Sequence, residues 1–346
     1  MGNKGLTMNK NEKLQKLFLG QLSKKAGSDK QLIDILKTEI GLSKSAAYRR
    51  LNGEAFLSFW EIVELSKKFN VSLDQFTNNQ ANIFLARFPF MNHPVKNFKD
   101  YLQPIHNNLS EALTLSDTRL SFISREIPLF HYFSFPELTA FKAYLWGRMM
   151  WDFPRFQKKQ FSLNDVKGIS QIRKSIVSLY YKTPGIEIWG NNNLDITFNQ
   201  IHYHLDNGMF KYPEEALILC EQLNQLMEHL YSMTFHGKKF EFGQSPTNNS
   251  VDFSLFQSQL APTSNFIILD ANEISEVYVN IDNLHTLKTD NDSFIQFMSN
   301  WKKTLQKHSE EITIKSEKSR VRFFNDAEKR LKKFEAQIKK KISELE

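Results

Sequence analysis

The sequence predicts a mainly helical α+β protein: an N-terminal five-helix bundle, then a larger helical domain, then a small antiparallel sheet of roughly four strands flanked by helices. Three observations carry that expectation. Apolar residues recur at helical spacing through most of the 346 residues. The period shortens to strand-like alternation only between about residues 238 and 282. The length is too great for one small core and allows two or three domains, while 41% hydrophobic and 24% charged residues give an ordinary globular composition.

Composition narrows the setting. Cys220 is the single cysteine, so neither an intramolecular disulfide nor a Cys-based zinc site can be built. The start, MGNKGLTMNKNEK, has no apolar signal region, and no apolar run approaches the roughly 18 to 20 residues of a membrane span. A cytoplasmic protein without a membrane partner is expected, with residues 1–9 disordered. Charge is unevenly placed: 13 Lys/Arg against 8 Asp/Glu in residues 1–76, 18 against 22 in 77–300, and 14 against 8 in 301–346. A basic head on an acidic middle fits a polyanion-binding end attached to a non-binding body, and the basic tail reads as a solvated helix face.

The head is punctuated residue by residue. A helix from about Glu12 to Lys25 presents Leu14, Leu17, Phe18 and Leu22 on one side. Ser28 or Asp29 caps a second helix carrying Leu32, Ile33, Leu36 and Ile40, and Gly41 follows where a helix end wants positive φ. Ser43 caps a short third helix, Lys44 to Leu51, whose small Ala47 permits a close crossing. Asn52-Gly53 stops it. Ser58 caps a fourth helix with Phe59, Ile62, Val63, Leu65 and Phe69 as its inner stripe, and Ser72 caps a last turn that closes on Val71, Leu73 and Phe76.

GLSKSAAYRRLNGE followed by LSFWEIVELSKKFNVSLDQF resembles the lambda-repressor-like, xenobiotic-response-element (Cro-type) helix-turn-helix of bacterial transcriptional regulators. The resemblance covers about residues 10–78, with Lys37 where such domains often carry a small Ala. It implies double-stranded DNA as partner, with the Lys44–Leu51 helix in the major groove. Lys44, Ser45 and Tyr48 would face base edges from behind the Ser43 cap. Arg49, Arg50 and Asn52, with Lys30 and Gln31 at the start of the preceding helix, would meet phosphates, which supply affinity and register but no sequence code.

Past the polar break Thr77-Asn78-Asn79-Gln80, the expected divisions are a helical, aromatic-rich region at 79–212, an α+β sensor-like region at 213–312 and a basic helix at 313–346. The aromatic run from Pro128 to Phe156 is more often core than ligand cage. If it encloses an effector pocket, His131, Tyr132, Arg148 and Trp151 are the polar edges to orient a small molecule. The strands are read in KKFEFG, VDFSLFQSQ, SNFIILDA and ISEVYVNID. The terminal stripe Val321, Phe324, Leu331, Phe334, Ile338, Ile342 and Leu345 serves either a homodimer or the body's own core.

Catalytic signatures are missing: no glycine-rich phosphate loop, no Gly-x-Ser-x-Gly and no His-Glu-x-x-His. His202 and His204 point apart on a helix, so neither a metal nor any other cofactor is expected. The expectation is a transcriptional regulator rather than an enzyme, its body dimerising and sensing a small ligand. The rivals are an enzyme with a DNA-binding head, and a phage or plasmid maintenance factor whose body binds a protein.

Overall fold

The computed structural model describes residues 10–69, 71, 73, 76, 84–88, 95–163, 170–260, 264–272, 274–282 and 284–345. Residues 1–9, Ser72, the Thr77–Gln80 break and residues 164–169, where the sequence predicts the start of a helix running to about Tyr181, lie outside them. The chain divides into two compact units, Met1–Leu85 and Ala86–Glu346.

The first unit is built by helix punctuation. Helices α1 (Lys10–Ala26), α2 (Asp29–Ile40), α3 (Lys44–Leu51) and α4 (Phe59–Phe69) follow in quick succession. Ser28 Oγ accepts from the Gln31 amide at the start of α2, and Gly41 ends that helix at φ 73°. Ser43 Oγ accepts from the Ala46 amide to start α3. Phe18, Leu19, Leu22, Leu32, Leu36, Ala47, Leu57 and Leu65 form the core, with Leu73 and Phe76 packed against it. Lys37 points outward, its ammonium 3.6 Å from Asp34, so the core loses nothing by it. Two expectations fail: Leu17 of α1 is exposed while Leu19 is buried in its place, and Phe59 is not on the inner stripe but 79% exposed. Glu61 takes the inward position on the first turn of α4 and is buried.

The second unit is a helix-covered mixed sheet. Among the described residues it has seven strands: β1 (Arg119–Ser124), β2 (Gly185–Gly190), β3 (Phe253–Ser258), β4 (Phe266–Asp270), β5 (Ser275–Asn280), β6 (Thr286–Thr289) and β7 (Glu310–Glu311). Their order is β6-β5-β4-β1-β2-β3-β7. The centre β1-β2-β3 is parallel, with Phe122, Glu187 and Leu255 in one cross-strand row and Ile123, Ile188 and Phe256 in the next. β4, β5 and β6 extend it antiparallel on one side and β7 on the other.

The α+β class holds, but the four-stranded meander does not. KKFEFG is no strand; Lys238 makes only an isolated bridge to Asp252. Two central strands, RLSFIS and GIEIWG, arise instead inside the stretch read as helical. Both run buried on two faces, which erases the alternation that marks a strand in sequence.

Parallel neighbours need long crossovers, and the helices supply them. After α5 (Phe98–Ala112) and β1 come α6 (Leu129–Tyr132), α7 (Pro136–Met149), α8 (Pro154–Gln157) and α9 (Ser170–Tyr181). Between β2 and β3 run α10 (Asp195–Asp206) and α11 (Glu215–His236). Met298 and Leu305 of α12 (Asp292–Lys307) cover the opposite sheet face at Ile123, Ile188 and Ile268. The last helix, α13 (Glu317–Leu345), buries Phe324, Leu331, Phe334, Ile338 and Ile342 within the unit, Phe334 stacking on Phe198 of α10 at 4.2 Å. Most of the terminal stripe is therefore spent internally; only Val321 and Leu345 stay exposed. Residues from all three expected divisions thus share one core. No helix of the described residues is long and apolar enough to cross a membrane.

Candidate nucleic-acid interface

Helix α3 has one buried position, Ala47, and it faces the core. The positions turned away from it carry Lys44 and Tyr48, four apart, beside Ser45 and Arg49, again four apart. All four are exposed, as are the capping Ser43 and Asn52 at the far end. Lys30 and Gln31 lie exposed on the first turn of α2, beside Asp29, at the positive end of the helix dipole. Among the described residues no carboxylate lies within ion-pair distance of Lys30, Lys44 or Arg49. Three uncompensated cations around an exposed short helix form a surface suited to a phosphate backbone.

Arg50 is a different matter. Its guanidinium grips Glu61 with two nitrogens, Nη2 at 2.8 Å and Nε at 3.2 Å, and Nη1 donates to the Ala46 carbonyl. It is half-buried and belongs to the frame rather than the exposed face. Glu61 also accepts from the Ser58 amide at 2.6 Å while Ser58 Oγ accepts from the Glu61 amide, a capping box. Gln15, which sequence reasoning passed over, completes the frame from α1. Its amide donates to the carbonyls of Arg50 and Ala55 and accepts from the Leu57 amide. The three bonds fall on the last turn of α3 and on the loop that leaves it, so α1 fixes where that helix ends. The capping box was readable as Ser58-x-x-Glu61; a lone Gln on an amphipathic helix carries no comparable signal.

The four expected ligand-orienting residues part company. Tyr132 is buried, donates to or accepts from Thr197 at 2.8 Å, and lines a cavity. Arg148 bonds the Tyr144 hydroxyl and the carbonyls of Phe156 and Lys159. Trp151 packs on Tyr101 and Phe153. His131 is wholly buried and meets Glu187 at 3.0 and 3.1 Å.

That Glu187 anchors a sealed polar cluster under the helices. The Tyr180 hydroxyl donates to it, and Lys239 Nζ lies 3.7 Å from the Tyr180 ring centre. Burial pushes the Glu187 pKa up, but His131, then Lys239 and Tyr180, more than offset this and hold it below the usual carboxylate value. Burial pulls Lys239 down to about 8 against the opposing pull of Glu187. It pulls the neighbouring His229 down to about 4, helped by His131 and opposed by the Phe240 hydrogen bond. Lys239 Nζ and Trp189 Nε1 find no hydrogen-bond partner among the described residues. The members are buried on all sides, so the cluster works as an internal electrostatic frame for the sheet. His202 pairs outward with Asp206 while His204 faces inward onto Phe141. Cys220 is buried, and burial raises its thiol to about 12, an unreactive state.

No protein-family model, no curated protein and no solved structure matches this chain.

Proposed function

We propose that the protein is a sequence-specific DNA-binding transcriptional regulator of the bacterial cytoplasm, acting by binding rather than by catalysis. The observation that carries this reading is the exposed face of α3, with Lys44, Ser45, Tyr48 and Arg49 presented together beside an α2 N-terminus bearing Lys30. Lys44 and Ser45 at the helix start read base edges, and Arg49, Lys30 and Asn52 hold the backbone. Arg50 leaves this set because it is half-buried and its guanidinium is bound to Glu61 and the Ala46 carbonyl. One such head makes few contacts, so two heads on half-sites about 34 Å apart give useful affinity, and the working form is a homodimer held through the second unit. A small effector bound there shifts the balance between DNA-competent and DNA-incompetent dimers.

The test is fluorescence anisotropy with duplexes selected from a random pool. Binding should weaken steeply with salt, and Arg49→Ala should flatten the logarithmic salt slope by about one unit. Lys44→Ala should relax preference at particular base pairs. Absence of binding to every duplex at low salt overturns the reading, and a monomer mass by light scattering on bound DNA removes the dimer.

A further inference from the structure

The second unit holds a cavity of about 180 Å³ between α5 and the β1-β4-β5 side of the sheet. Its walls carry six aromatic rings, Tyr101, Phe122, Phe130, Tyr132, Trp146 and Tyr278, among aliphatic side chains. A cavity of roughly 150 Å³ lined by apolar side chains takes a benzene ring, so this one fits a ring with a short tail, about seven to ten heavy atoms. The volume is not explained by failed packing, because Phe133 and Tyr180, which pack on the wall residue Phe130, are themselves without exposure.

The polar groups on the wall are unequally committed. The Tyr132 hydroxyl is taken by Thr197 and the Tyr278 hydroxyl by Glu276. Lys142 spends its ammonium on Thr197 at 3.0 Å and Gln200 at 2.6 Å. Two groups remain. Asn280 Oδ1 is a buried acceptor with no donor among the described residues. Glu126 is nine-tenths buried, and no side chain among the described residues lies within ion-pair distance of its carboxylate. Both uncommitted groups accept hydrogen bonds. A buried acceptor without a donor is costly, so the complementary occupant brings donors.

We propose that this cavity binds a small aromatic primary amine, its ring among the aromatic walls and its ammonium between Glu126 and Asn280. An ammonium supplies three donors and a positive charge to match a carboxylate, and the surrounding ring faces favour a cation further. A carboxylic acid of the same size would meet those two acceptors, and Lys142, two of whose three donors are spent on Thr197 and Gln200, offers it one donor at most. The site gives a chemical class to the effector of the regulator reading, yet it is measured without DNA. Loss of DNA binding therefore leaves the cavity result standing, and an empty cavity leaves the interface on α3 untouched.

Isothermal titration calorimetry on the full chain with 2-phenylethylamine, 2-phenylethanol and phenylacetate tests it. The amine should bind at least tenfold more tightly than the alcohol, and the acid should not bind. Glu126→Gln should lower amine affinity at least tenfold while changing that of the alcohol less than twofold. Should that variant fail to fold, Ala112→Leu, which fills the cavity, must abolish the heat of amine binding. No heat from the amine, tighter binding of the acid, or amine affinity unchanged in Glu126→Gln overturns the proposal.

Discussion

The two units of this chain reach stability by different means. The first is assembled from local signals, α2, α3 and α4 each started by a Ser and two of them stopped by a Gly or an Asn-Gly pair, around a core of mostly aliphatic residues. The second is assembled from distant segments: its central strands lie some 65 residues apart in sequence, and it buries several charges, Lys142, Lys239 and Glu187 among them, in an aromatic interior. Caps are individually cheap to lose. A buried charge is not, since removing its partner strands it in a medium that cannot solvate it. The contrast teaches that similar substitutions should have unequal consequences in the two halves.

The largest expected effect lies in the second unit. Glu187→Ala leaves Lys239 and His131 without their anion and should cost about 3–5 kcal/mol in urea denaturation followed by tryptophan fluorescence. A loss below about 1 kcal/mol would mean that the cluster is a passenger and the contrast false. The same unit should be acid-sensitive. His229 titrates at about 4 when folded, below the unfolded value near 6.5, so the unfolded chain takes up its proton first. Stability is complete above pH 6.5 and falls by about 3 kcal/mol as pH drops to 4. The depressed Glu187 carboxyl adds a further loss at lower pH still. His229→Phe should flatten the upper part of that curve; an unchanged curve would place the acid sensitivity elsewhere.

Within the first unit the comparison becomes a pair of neighbours. Arg50→Ala strands the buried Glu61 and should cost about 2 kcal/mol of thermal stability, whereas Arg49→Ala should stay within about 0.5 kcal/mol and change only DNA affinity. Equal stability losses would blur the division between frame and interface. The smallest effect is Ser43→Ala, about 1 kcal/mol from a lost N-cap, seen as a lower melting temperature of the first unit. It should fray α3 first, which amide exchange at Ala46 would register directly.

What was legible in the sequence follows the same division. Ser28, Gly41, Ser43, Gly53 and Ser58 act on residues within four positions, so each could be read where it stood, and α2, α3 and α4 begin where the caps put them. Phe59 was misplaced because periodicity admits either neighbour at a helix start, and the Arg50–Glu61 pair chose Glu61. In the second unit, α7, α9 and α11 show amphipathic or buried faces, but β1 and β2 lie among them without alternation. Nothing near Glu187 in sequence announces His131 or Lys239; only the crossovers bring them together. The cavity residues were foreseen only at Tyr132, since which ring lines a space and which fills one depends on contacts that no local pattern encodes.

The position of α13 has a consequence for the order of events during synthesis. The first unit closes on residues no later than Phe76, all local in sequence, so it can fold while most of the chain is still to be made. The second unit cannot finish, because Phe198 of α10 waits for Phe334, and Tyr231 of α11 for Phe324. At roughly 5–20 residues per second, more than ten seconds separate a completed head from a completed body. For that interval a folded basic head precedes an unfinished body whose apolar surface awaits its final helix.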